Sequence, residues 1–219
     1  MVEAPRPERS GSTVVSAPAA GSPGDAPSAW RELPPVAAVR EALDRAALCV
    51  PPGEGARVEG VVEPSSGRVV LLRPPDGEPT AVGCVNDALE SVHVAAPLDV
   101  RVEFFEVVVP PSTASRRGRI DVDGVAAALQ GRTGEIRACY ERELAHDRTL
   151  EGRAEVHLRI DAAGEFSRRM VIAPARFGSF GRCLQGVLRG LSLPRATGGW
   201  VDLDFPFTFS PGHEEAPEE

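Results

Sequence analysis

Four cysteines, Cys49, Cys84, Cys139 and Cys183, are the side chains best suited to do chemistry in this 219-residue chain. They could bind metal, cycle redox electrons or crosslink the fold. Zinc is not expected, because no Cys-x-x-Cys occurs and His93, His146, His157 and His213 are scattered. Redox catalysis would need a depressed thiol pKa beside exposed charge, whereas these cysteines fall on helix faces that read as buried. Other candidates fail on spacing. Phe177-Gly178-Ser179-Phe180-Gly181 has Phe where a nucleophile elbow needs its first glycine. Gly53-Glu54-Gly55 precedes a strand and has Val58 where a dinucleotide loop needs its third glycine. Asp121-Val122-Asp123-Gly124 lacks the downstream spacing of a calcium loop and reads as a helix start. His157, between Glu155 and Arg159, is an acid–base candidate, but its place in an alternating strand reads as a solvated face. The expectation is therefore a non-enzyme with no catalytic residue, metal or cofactor; an enzyme with unrecognised chemistry is the minor alternative.

The cysteines depend on the elements that carry them. Val36, Val39, Leu43 and Ala46 recur at helical spacing after Pro34-Pro35, and Pro51-Pro52 ends that helix. Residues 57–63 and 68–73 read as strands around the turn Pro64-Ser65-Ser66-Gly67, residues 81–91 as a helix and residues 100–104 as a strand. The order then repeats. Val125, Leu129, Ile136, Tyr140 and Leu144 trace one helix, capped by Asp121 or Asp123. Ala154, Val156, Leu158 and Ile160 alternate on one strand face, and a hairpin turn follows at 161–164. Phe166, Met170 and Ile172 read as one face of the next strand, interrupted by Arg168, which a bulge would explain. Phe180, Leu184, Val187 and Leu191 mark a helix, and Val201, Leu203, Phe205, Phe207 and Phe209 the inward face of a last strand.

The repetition extends to spacing. Leu89, Val92 and Val94 follow Cys84 at the same offsets as Leu188, Leu191 and Leu193 follow Cys183, and Val100-x-Val102-Glu103-Phe104 matches Val201-x-Leu203-Asp204-Phe205. Each copy has one cysteine on each helix. Of the three pairings open to four cysteines, the repeat selects Cys49–Cys84 and Cys139–Cys183, with four buried free thiols as the alternative. Crosslinks would imply folding outside the cytoplasm.

With 32 acidic and 24 basic residues, all of the latter arginine, the net charge of -8 argues against nucleic-acid binding. No apolar run approaches the ~18 residues of a membrane span, and no signal peptide is visible, so an upstream lipid or membrane anchor is one expectation and a cytoplasmic location its rival. Residues 1–33, rich in Pro, Ala, Gly and Ser, read as a disordered tether, 110–118 as a linker and 211–219 as an acidic tail.

The run Ile136-Arg137-Ala138-Cys139-Tyr140-Glu141-Arg142-Glu143-Leu144, then Leu150-Glu151-Gly152-Arg153, Cys183 and the ending Phe205-Pro206-Phe207-Thr208-Phe209, resembles the AgmX/PglI C-terminal domain family, a TonB-like domain of gliding bacteria. The match covers residues 119–209, and the first copy resembles the family more distantly through Gly83-Cys84-Val85, Val94 and its last strand. The resemblance implies an α+β fold of two TonB-C-like units, at 34–109 and 119–210, each helix-strand-strand-helix-strand with a three-stranded sheet covered by two helices on one face. It also implies a non-catalytic periplasmic or cell-envelope role in trans-envelope coupling or motility complexes. A purely structural secreted or periplasmic protein is the alternative. In this topology the last strand lies at a sheet edge, where Pro206 also fits. Trp200, Val201, Asp202, Leu203, Asp204 and Phe205 are thus the candidate strand for an envelope protein or peptide that adds to the sheet.

Overall fold

The computed structural model describes residues 14–16, 32–51, 54–109 and 117–211. Its order is β1 (Val14–Ser16), α1 (Pro34–Ala47), β2 (Ala56–Val62), β3 (Val69–Asp76), α2 (Pro79–Glu90), β4 (Val100–Val108), α3 (Val122–Gln130), α4 (Thr133–Leu144), β5 (Gly152–Ile160), β6 (Phe166–Pro174), α5 (Phe180–Arg189) and β7 (Val201–Ser210), with a 3-10 turn at Ala175–Phe177. The fold is α+β, built on one antiparallel sheet in the order β1-β7-β5-β6-β4-β2-β3. Each half places its third strand beside its first and its first beside its second: β4-β2-β3 and β7-β5-β6.

The halves are not side by side as separate sheets. β4 and β6 pair directly, from Val100↔Pro174 to Glu106↔Arg168, so the ladder runs on across the expected domain boundary. β6 shows how the layers are arranged. Its Val171 and Ala173 pack into the core beneath α4 and α5, while Met170 and Ile172 pack into the core of α1 and α2. Successive strand residues point to opposite faces. The two helix pairs therefore cover opposite faces of the continuous sheet, and β6 is buried on both sides. This corrects the reading of Phe166, Met170 and Ile172 as one face. The register shifts by one residue between Arg159↔Arg168 and Ile160↔Phe166, a bulge that puts Phe166 on the second half's core and Arg168 on the other face.

Two further expectations change. The helix before β5 is broken into α3 and α4 at Gly131-Arg132, a poor place for a continuous helix because glycine favours its end. Asp121 caps α3, accepting the Gly124 amide at 3.0 Å. Within the supposed tether, Val14–Ser16 forms β1 against β7, consistent with the extended preference of β-branched valine. The rest of the tether up to residue 31, linker residues 110–116 and tail residues 212–219 lie outside the described residues.

Both crosslinks are present: Cys139–Cys183 joins α4 to α5, and Cys49–Cys84 joins α2 to the turn just past the end of α1, so Cys49 lies beyond the helix that was expected to carry it. They mark an oxidising, extracytoplasmic environment. No helix among the described residues is long and apolar enough to cross a membrane. Ile136, Cys139, Tyr140, Leu150, Phe205, Phe207 and Phe209 are core residues. The Tyr140 hydroxyl donates to the Leu150 carbonyl, and its ring lies 5.0 Å from Phe209 and 6.0 Å from Phe177. Phe180 stands edge-on to both phenylalanines.

Candidate functional site

β7 has β5 on one side and, among the described residues, the short β1 on the other, where Val14, Val15 and Ser16 pair with Ser210, Phe209 and Thr208. At its opposite end the Gly118 amide donates to the Trp200 carbonyl at 2.7 Å, and Arg119 pairs with Thr197. The outer edge of β7 is therefore bordered at both ends by the chain itself, with Val201–Phe207 between.

The six candidate residues divide by face. Val201, Leu203 and Phe205 turn into the second half's core. Asp202 and Asp204 turn the other way, and neither is simply solvated. Asp202 accepts both Nε and Nη2 of Arg159, at 2.8 and 3.1 Å, a fork geometry that fixes direction as well as charge. Asp204 lies 2.5 Å from Nδ1 of His157. The Trp200 ring sits under the Arg159 guanidinium at 4.1 Å, with Arg117 at 5.8 Å.

These contacts belong to a row that crosses four strands. Glu106 of β4 faces Arg168 of β6, Arg168 faces Arg159 of β5, and Arg159 faces Asp202 of β7. Two arginines directly opposite would repel, but each has a carboxylate on its far flank. Two residues along lie Phe104, Met170, His157 and Asp204. His157 is 8% exposed, so the sequence reading of a solvated outer face is corrected. Its position beside Met170 brings it to the margin of the first half's core, and it lines a pocket of about 160 Å³ with Val36 and Arg40 of α1. Its Nε2 has no hydrogen-bond partner among the described residues. The alternation of β5 gave the correct face; nothing in it could show that a helix from the other half borders that face.

On the opposite face α5 crosses the join. Gln185 Nε2 donates to the carbonyls of Glu103 and Arg169, at 3.3 and 3.2 Å. Burial pushes the Glu103 carboxyl above its usual range, against the pull of Arg101 at 2.9 Å. Arg169 is 5% exposed and stacks at 4.3 Å on Phe105. Burial and the nearby Arg189 lower its pKa to about 10. No group of metal-ligating side chains occurs among the described residues. Comparison with protein-family models, curated proteins and solved structures found no match.

Proposed function

We propose that the chain is a non-catalytic protein–protein interaction module of a bacterial cell envelope, TonB-like or of the gliding-motility type. Two TonB-C-like units form it, and an envelope protein or peptide binds by adding a strand to the outer edge of β7. The observation that carries this reading is internal to the sheet. The outer edge of β4, the third strand of the first half, already takes an antiparallel strand, β6, over seven residue pairs. Among the described residues, the corresponding edge of the second half is covered by β1 at three positions, and a partner would extend or displace it. Strand addition draws affinity from backbone hydrogen bonds and needs no enclosed pocket. Periplasm is the compartment that fits both the crosslinks and this role.

Backbone amide shifts test the reading. The peptide Thr-Val-Thr-Val-Thr-Val-Ser, added to the full chain, is expected to move the amides of residues 199–207. Shifts confined to the helices, or none, would mean that β7 and its short partner serve only to hold the fold.

A further inference from the structure

We propose that the pocket between α1 and β7 holds the C-terminal carboxylate of the strand that adds to β7; the inference rests on the edge-addition reading above. The direction comes from β1. Its register, Val14↔Ser210 to Ser16↔Thr208, runs antiparallel to β7. A longer strand in that register proceeds from Ser210 towards Val201 and finishes beside Trp200, where the Gly118 amide already occupies the Trp200 carbonyl. The end of the partner chain is thereby delivered to one place.

That place is built for an oxyanion. The pocket is lined by Arg40, Arg117, Arg159, Arg168, Asp202 and Asp204, along with His157. Arg159 is committed to Asp202 and Arg168 to Glu106. Among the described residues neither Arg40 nor Arg117 has an ion pair; the Arg117 backbone bridges to Trp200 and its guanidinium lies 5.8 Å from the Trp200 ring. Among the described residues, these two guanidinium groups of the lining are not ion-paired, whereas Asp202 and Asp204 are engaged by Arg159 and His157. His157, 8% exposed and donating from Nδ1 to Asp204, lines the same space, and its Nε2, without a partner among the described residues, is left to accept from an ordered water beside the carboxylate. The volume, about 160 Å³, suits a carboxylate with ordered water, since one water occupies about 30 Å³ in the liquid. Arginine is well matched to a carboxylate because its fork can donate two parallel hydrogen bonds.

The experiment compares two forms of Thr-Val-Thr-Val-Thr-Val-Ser, one ending in a free carboxylate and one amidated, each titrated into the full chain by amide and His157 ring shifts. The free acid is expected to bind at least about tenfold more tightly, as losing a charge-assisted hydrogen bond would give, and to move the His157 ring. In the double variant R40Q/R117Q, whose side chains are exposed, the two forms should bind alike. Equal affinity for the two forms in the natural chain, with shifts at 201–207, overturns the carboxylate site and leaves edge addition standing. Failure of both peptides to move 201–207 overturns both.

Discussion

Arg168 of β6 donates two hydrogen bonds to the carboxylate of Glu106 in β4, Nε to Oε2 at 2.5 Å and Nη2 to Oε1 at 2.9 Å. Both side chains are largely buried, and the pair spans the join between the two halves. Taking one partner away leaves a buried charge, which is worse than removing both. Arg168→Met should lower unfolding free energy by about 3–5 kcal/mol, and Glu106→Gln combined with Arg168→Met by much less. Urea melts of the single and double variants check this.

The shared ladder also sets cooperativity. Met170 and Ile172, from the second half, complete the first half's core. The intact chain should unfold in one transition by both far-UV and near-UV circular dichroism. Residues 119–219 expressed alone should expose Met170 and Ile172 and bind a hydrophobic dye. Cleavage within 110–118 should leave the two pieces associated on a sizing column. Two separated transitions would show that the halves fold independently despite the join.

The crosslinks close separations of 35 and 44 residues. On the chain-entropy account, each contributes roughly 4 kcal/mol by restricting the unfolded chain. Replacing Cys139 and Cys183 by alanine should therefore lower stability by that order, and replacing all four cysteines should leave little folded protein at 37 °C. Thermal melts with and without reductant give the measurement.

Glu103 supplies a pH test. Its folded pKa is raised by burial, so the native state holds the proton more tightly than the unfolded chain does. The carboxylate therefore costs stability at neutral pH. That cost declines as pH falls through the raised value and vanishes below the unfolded value of 4.5. Glu103→Gln should be the more stable protein at pH 7, with its advantage shrinking towards acid; Arg101 keeps Glu63 as a partner at 3.2 Å. Paired melts from pH 4 to 8 follow the difference directly.

Much of this architecture was legible in local pattern. Ala154, Val156, Leu158 and Ile160 alternate because β5 has one apolar face, and all four lie in one core. Asp121, Pro34 and the Pro64–Gly67 turn mark ends that backbone chemistry requires, and Gly67 indeed adopts φ +65°. The join was less legible. Met170-Val171-Ile172-Ala173 is a continuous apolar run, the mark of a strand buried on both faces, but a bulged one-faced strand explains the same letters. Glu103, Glu106 and His157 sit at polar positions of alternating strands and become buried only because the halves dock edge to edge. That docking joins elements nearly 70 residues apart, and neither periodicity nor cap chemistry carries information over such a distance. For the site, the sequence marked Trp200 to Phe205, while Arg40, Arg117 and Arg168 come from three other segments and have no shared spacing.

The register of β1 also has a mechanical side. Val14 lies opposite Ser210, so the start of β1 and the end of β7 sit side by side at one end of the sheet. A load pulling Val14 and Ser210 apart acts on one residue pair at a time and peels β1 away like a zipper. A strand gripped along Val201–Phe207 and pulled along its own axis would instead load all its hydrogen bonds together. The same edge would thus give way easily to a load separating Val14 from Ser210 and resist tension along a longer strand laid against it.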